Sequence, residues 1–99
     1  MDYALILGSN RQRARHLRLA ARRIAETFEV RACAPARRTR DPGGMRYLNA
    51  GVLVRTDLNE EALRALLRAI EDEAGRERGG ATCTLDIDLV AGVDGPGAP

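Results

Sequence analysis

Two hydrophobic periods alternate along the chain, and their alternation predicts its elements. Tyr3, Ala4, Leu5, Ile6 and Leu7 form a short apolar run closed by Gly8, which reads as a buried strand. Over residues 11–28, apolar positions fall at Ala14, Leu17, Ala21, Ile24 and Phe28. Those spacings of three and four make one helical stripe, with the arginines mostly off it. Ser9 and Asn10 are placed to cap this helix. Residues 30–34 read as a brief second strand. Residues 35–45 read as a loop, marked by Pro35, Pro42, Gly43 and Gly44 and carrying Arg37, Arg38 and Arg40.

Residues 47–55 alternate at a period of two. Leu48, Ala50, Val52 and Val54 share one face; Tyr47, Asn49, Gly51 and Leu53 share the other. Asn59 is the expected N-cap of a second helix, with Glu60 and Glu61 at the positive end of its dipole. Its stripe is Leu63, Leu66, Leu67, Ile70 and Ala74, and Gly75 ends it as a left-handed cap. In a last strand over residues 83–90, Leu85, Ile87 and Leu89 oppose Thr84, Asp86 and Asp88. The domain is expected over residues 1–91, with 92–99 a loose tail rich in Gly and Pro. The order βαββαβ implies an α+β fold of the ferredoxin-like kind, a four-stranded antiparallel sheet with both helices on one face. Tyr47, Asn49, Asp86 and Asp88 then share the open face.

Composition narrows the picture. Ninety-nine residues make one domain, and only Tyr3, Phe28 and Tyr47 are aromatic, so Leu, Ile, Val and Ala must build the core. No stretch is apolar enough to span a membrane, and no signal-peptide pattern is present. Cys33 and Cys83 lack CxxC spacing, which suits a reduced, cytoplasmic protein. The net charge is only +2, yet every Lys-or-Arg position, 16 in all, is arginine. A coding bias accounts for that; so does phosphate recognition, because a guanidinium fork grips two oxygens at once.

Candidate chemistry concentrates at Asp86 and Asp88. Residues two apart on a strand project to one side, roughly 7 Å apart, and two carboxylates there repel unless a cation sits between them. Mg²⁺ takes one or two carboxylates and fills its shell with water and phosphate oxygens. A solvated edge strand, charged against sheet-to-sheet pairing, is the alternative. Gly8, Ser9 and Asn10 join the first strand to the first helix, as an anion-holding turn or an ordinary cap. Asn49 offers a donor and an acceptor to a heterocycle edge, and Tyr47 a ring to stack on it. His16 lies off the helical stripe and reads as a surface residue.

In order and spacing, these segments resemble the 6-hydroxymethyl-7,8-dihydropterin pyrophosphokinases of folate biosynthesis. The resemblance rests on Leu5-Ile6-Leu7-Gly8-Ser9-Asn10, Tyr47-Leu48-Asn49-Ala50, Ile70-Glu71 with Gly75-Arg76, and Thr84-Leu85-Asp86-Ile87-Asp88. It implies Mg²⁺-dependent transfer of pyrophosphate from ATP to a reduced pterin. Asp86 and Asp88 are then metal ligands. Arg76 contacts phosphate and, with those aspartates, serves catalysis. Tyr47, Asn49, Gly8 and Asn10 hold substrate, and Glu71 lies with Arg76 on the nucleotide side. Against the family pattern, the loop from Arg78 to Thr84 is shorter and Cys83 stands where an arginine is usual. The family pattern also runs on past the metal strand, so the resemblance implies a member cut short at its C-terminal end, with weakened or lost turnover. A non-catalytic module of the same element order, binding nucleotide or pterin, or RNA with Tyr3 and Tyr47 as stacking aromatics, is the alternative; the missing phenylalanine-rich signature argues against nucleic acid. An exposed edge strand leaves room for a homodimer.

Overall fold

The computed structural model describes residues 1–75 and 85–93. Its elements are β1 (Asp2–Ser9), α1 (Arg13–Thr27), β2 (Glu29–Arg40), β3 (Arg46–Arg55), α2 (Glu60–Glu73) and β4 (Asp86–Val93). The four strands form one sheet in the order β2-β3-β1-β4, with every neighbouring pair antiparallel. This is the expected ferredoxin-like arrangement. Each half supplies a strand, a helix and a strand, and the halves interleave so that β1 and β3 lie at the centre.

The core lies between the helices and one sheet face. Tyr3, Leu5 and Leu7 of β1, Val52 and Val54 of β3, and Leu85 and Ile87 at β4 are buried there. They meet Leu17, Ala20 and Ile24 of α1 and Leu63, Leu67 and Ile70 of α2. Both helices therefore cover the same face. Phe28, just past α1, completes the cluster.

The helical stripes differ from expectation by single positions. Ala20 rather than Ala21 is buried in α1, because Leu17, Ala20 and Ile24 point at β1 and β3 while Ala14 and Ala21 face out. In α2, Leu66 is exposed and Glu71 is buried in its place. Asn59 caps α2 as expected, its side chain accepting the Ala62 N–H at 2.8 Å. Gly75 follows α2 at φ +80°, a backbone conformation that favours glycine. Neither Ser9 nor Asn10 caps α1. The N-cap is Gln12, in a left-handed conformation with no side-chain cap. Ser9 is buried, and its hydroxyl donates instead to the Arg11 carbonyl at 2.9 Å, holding the turn between β1 and α1.

The largest departure is β2. It runs through the segment read as a loop and reaches Arg40, leaving only a short turn before β3. Pro35 is accommodated by a bulge: Ala34 pairs with Gly51 and Arg37 with Asn49, so Pro35 and Ala36 together oppose Ala50. A second irregularity lies between Val30 and Ala32. At the turn, Asp41 accepts the Gly44 N–H with its carbonyl and the Met45 N–H with its carboxylate. At the opposite edge, β4 continues to Val93, pairing with β1 as far as Asp2. Among the described residues, no helix is long and apolar enough to cross a membrane.

Candidate functional site on the open sheet face

Directly opposed residues in an antiparallel sheet point to the same side. The register therefore builds the open face row by row. One row runs Arg37, Asn49, Gly8, Asp86 across all four strands. The next runs Ala34, Gly51, Ile6, Asp88. Tyr47 lies opposite Thr39, two residues beyond Asn49. The face thus gathers Tyr47, Asn49, Asp86 and Asp88. Asn49 and Asp86 are two strand spacings apart, about 10 Å between backbones.

Gly8 sits between the amide and the acid for a steric reason. A Cβ at this position would lie 2.7 Å from Asn49 Oδ1. The amide oxygen leans over the backbone of β1, towards the acidic strand. Asn49 Nδ2 donates to Thr39 Oγ1, which holds the amide in that orientation. Thr39 belongs to the segment read as a loop, so no feature of the sequence alone marks it as a partner of Asn49.

On the β4 side, Asp86 is half-buried and Asp88 exposed. Among the described residues, no group of three or more His, Cys, Asp and Glu side chains converges. Two hard carboxylates still fit Mg²⁺, whose remaining positions go to phosphate and water. Glu71, expected on the nucleotide side, is buried against β4 and its Oε2 accepts the Ile87 N–H at 2.8 Å. Ile87 lies between the two aspartates. Its N–H points away from β1 at an edge of the sheet, and Glu71 satisfies it with a charge-assisted bond. A cavity of about 180 Å³ opens beside this contact, lined by Arg64, Arg68, Glu71 and Asp86 among others. The burial of Glu71 is visible in the sequence only as position i+8 from Leu63 on the apolar stripe.

Asn10 lies in the turn that Ser9 holds, beside this end of the face. His16 is not part of it; its Nδ1 is 2.6 Å from the Arg11 carbonyl at the start of α1. Arg76, Cys83 and Thr84 lie outside the described residues. Tyr3 points into the helix-side core and its hydroxyl donates to the Leu58 carbonyl at 3.3 Å, so it cannot serve as a stacking platform on the open face. The RNA-binding alternative loses its first-strand aromatic by this orientation.

The open face of this α+β sheet thus presents an amide on β3 and two carboxylates on β4. The chain belongs to the 7,8-dihydro-6-hydroxymethylpterin-pyrophosphokinase (HPPK) family, whose model matches residues 4–94. That match takes in the whole of the face just described. No curated protein matches the chain.

Proposed function

We propose that this face binds a reduced 6-hydroxymethylpterin and Mg²⁺-ATP and transfers pyrophosphate from the nucleotide to the pterin. The observation that carries the reading is the row Asn49–Gly8–Asp86 with Asp88 in the row beside it, inside a chain of this family. Asn49 takes the pterin edge through its amide, Tyr47 packs on the ring, and Gly8 and Asn10 shape the floor and rim. Asp86 and Asp88 hold Mg²⁺, which when bound neutralises the phosphate charge. On the family resemblance Arg76 is assigned to the phosphates, and Glu71 supports the nucleotide side by holding β4 in place.

The chemistry asks little covalent work of the protein. The pterin hydroxyl oxygen bonds to the β-phosphorus, and the bond from that phosphorus to the bridging α,β-oxygen breaks. AMP leaves with the electron pair, and the hydroxyl proton passes to water. Such transfers depend on positioning and on charge placed in advance. With Cys83 where the family pattern has an arginine, turnover is expected to be slower than in a member that keeps it.

Calorimetric titration with the reduced pterin and with Mg²⁺-ATP tests binding, and pterin-dependent AMP release tests turnover. Binding of both ligands is expected, and Asp86→Asn should lower AMP release by about a hundredfold while leaving pterin affinity near that of the parent chain. A folded chain that binds neither ligand would remove this reading.

A further inference from the structure

Four arginines line one cavity at the outer end of the β2–β3 arm. Arg13 comes from the first turn of α1, Arg38 and Arg40 from β2, and Arg46 from β3. With Thr39 and Tyr47 they line about 340 Å³. The register explains the convergence. Arg40 lies opposite Arg46 and Arg38 opposite Leu48. Leu48 packs on the core, so these positions belong to the helix side of the β2–β3 arm, where α1 begins.

The charges of this cluster are not balanced within the described chain. Arg23, Arg31, Arg55 and Arg64 each hold a carboxylate. Among the described residues, none of the side chains of Arg13, Arg38, Arg40 and Arg46 makes a hydrogen bond or an ion pair. Asp41, next to Arg40, turns its carboxylate to the Met45 N–H at 2.8 Å inside the hairpin turn. Four like charges around one cavity repel each other, and a multivalent anion reverses the sign of that energy. Guanidinium forks take phosphate oxygens two at a time, and the first turn of α1 adds the positive end of its dipole.

We propose that this cavity is a second anion site, for a small phosphate chain of the diphosphate or longer kind. It uses neither Asp86 nor Asp88 and meets the pterin reading only at Tyr47, which lines this cavity as well as the open face.

Tripolyphosphate titrated into the full chain without Mg²⁺ tests it, followed by calorimetry and by the arginine Nε–H signals in NMR spectra. Signals of Arg13, Arg38, Arg40 and Arg46 should move together. Arg38→Gln with Arg46→Gln should weaken binding at least tenfold. Arg18→Gln with Arg22→Gln, an equal loss of charge on exposed residues of α1, should change it less than twofold. Circular dichroism melts check that each variant folds, and Arg13→Gln with Arg40→Gln replaces the first pair if it does not. Equal weakening by the control pair would reduce the effect to net charge and overturn the site. Binding that persists while the signals of these four arginines stay fixed would place the anion elsewhere and overturn it equally. Single-stranded RNA bound at physiological salt by a chain that ignores tripolyphosphate would replace the site with a nucleic-acid surface.

Discussion

The two faces of this sheet are built from the same strands and share almost nothing else. On the helix side, Leu5, Leu7, Val52, Val54, Leu85 and Ile87 are buried against α1 and α2. On the open side, their immediate neighbours are Ile6, Gly8, Gly51, Asp86 and Asp88, with Asn49 in the same rows. A strand turns successive side chains to opposite faces, so stability and chemistry are interleaved residue by residue. A slip of one residue in β1 or β4 would exchange the two sets, burying carboxylates and exposing leucines. The apolar face is what fixes the acidic pair beside the amide. The candidate site takes the spacing of its residues from the core behind it.

The sharpest way to break the comparison is to cut the sealed face. Leu7 is among the most deeply buried side chains, and Leu7→Ala should cost about 2–5 kcal/mol in urea unfolding. Ligand affinity of the fraction that remains folded should be unchanged. A loss under about 1 kcal/mol would show that the helix side is not the sealed core described here.

The second test falls where the faces meet. Glu71 comes from the core side and holds the backbone of β4 between the two aspartates. Glu71→Ala leaves the Ile87 N–H without this acceptor and should cost about 1–3 kcal/mol, with weaker Mg²⁺ binding. Glu71→Gln keeps an acceptor and should recover most of the stability. If Glu71→Gln and Glu71→Ala melt alike, the bond to Ile87 is not what the side chain contributes.

A smaller effect is expected from filling the open face. Gly8→Ala puts a methyl group 2.7 Å from Asn49 Oδ1, and the flexible amide must swing aside. Stability should hardly change, while reduced-pterin affinity should fall about tenfold, or about 1.4 kcal/mol. Unchanged affinity would detach Asn49 from pterin binding.

The smallest effect is at the far end of β1. Arg55 Nε donates to Asp2 Oδ1 at 2.8 Å, and this hydrogen bond holds the Asp2 carboxyl below the usual carboxylate range. A group with a lowered pKa stabilises the fold above its unfolded value, and the contribution is lost as pH falls through the folded value. Arg55→Gln should therefore melt slightly lower than the parent at neutral pH and converge with it in acid. A constant gap between the two melting curves down to the lowest pH would assign the loss to packing instead.

Much of this was legible in sequence because periodicity is a local property. The period-two alternation of residues 47–55 and the paired aspartates state which side chains share a face without reference to any other element. Asn59 and Gly75 likewise mark the ends of α2 from short-range chemistry. The β2 extension was hidden because Pro35, Pro42 and the glycines look like a loop. Only pairing with β3 supplies the hydrogen bonds and the bulge that carry the strand past Pro35. The choice between Ala20 and Ala21, and between Leu66 and Glu71, was equally hidden, since each pair fits the helical period and the sheet beneath decides which one it covers.

Local pattern alone was enough for the order of elements, the faces of β1, β3 and β4, and the residues that carry the family resemblance. Packing and register were needed to put Gly8 between Asn49 and Asp86, to bring Glu71 onto the strand bearing the two aspartates, and to gather four arginines from three elements around one cavity. The physical reason is range. Propensity and periodicity act over a few residues, whereas these contacts join positions far apart in the chain, and only the register of a packed sheet sets the distance between them.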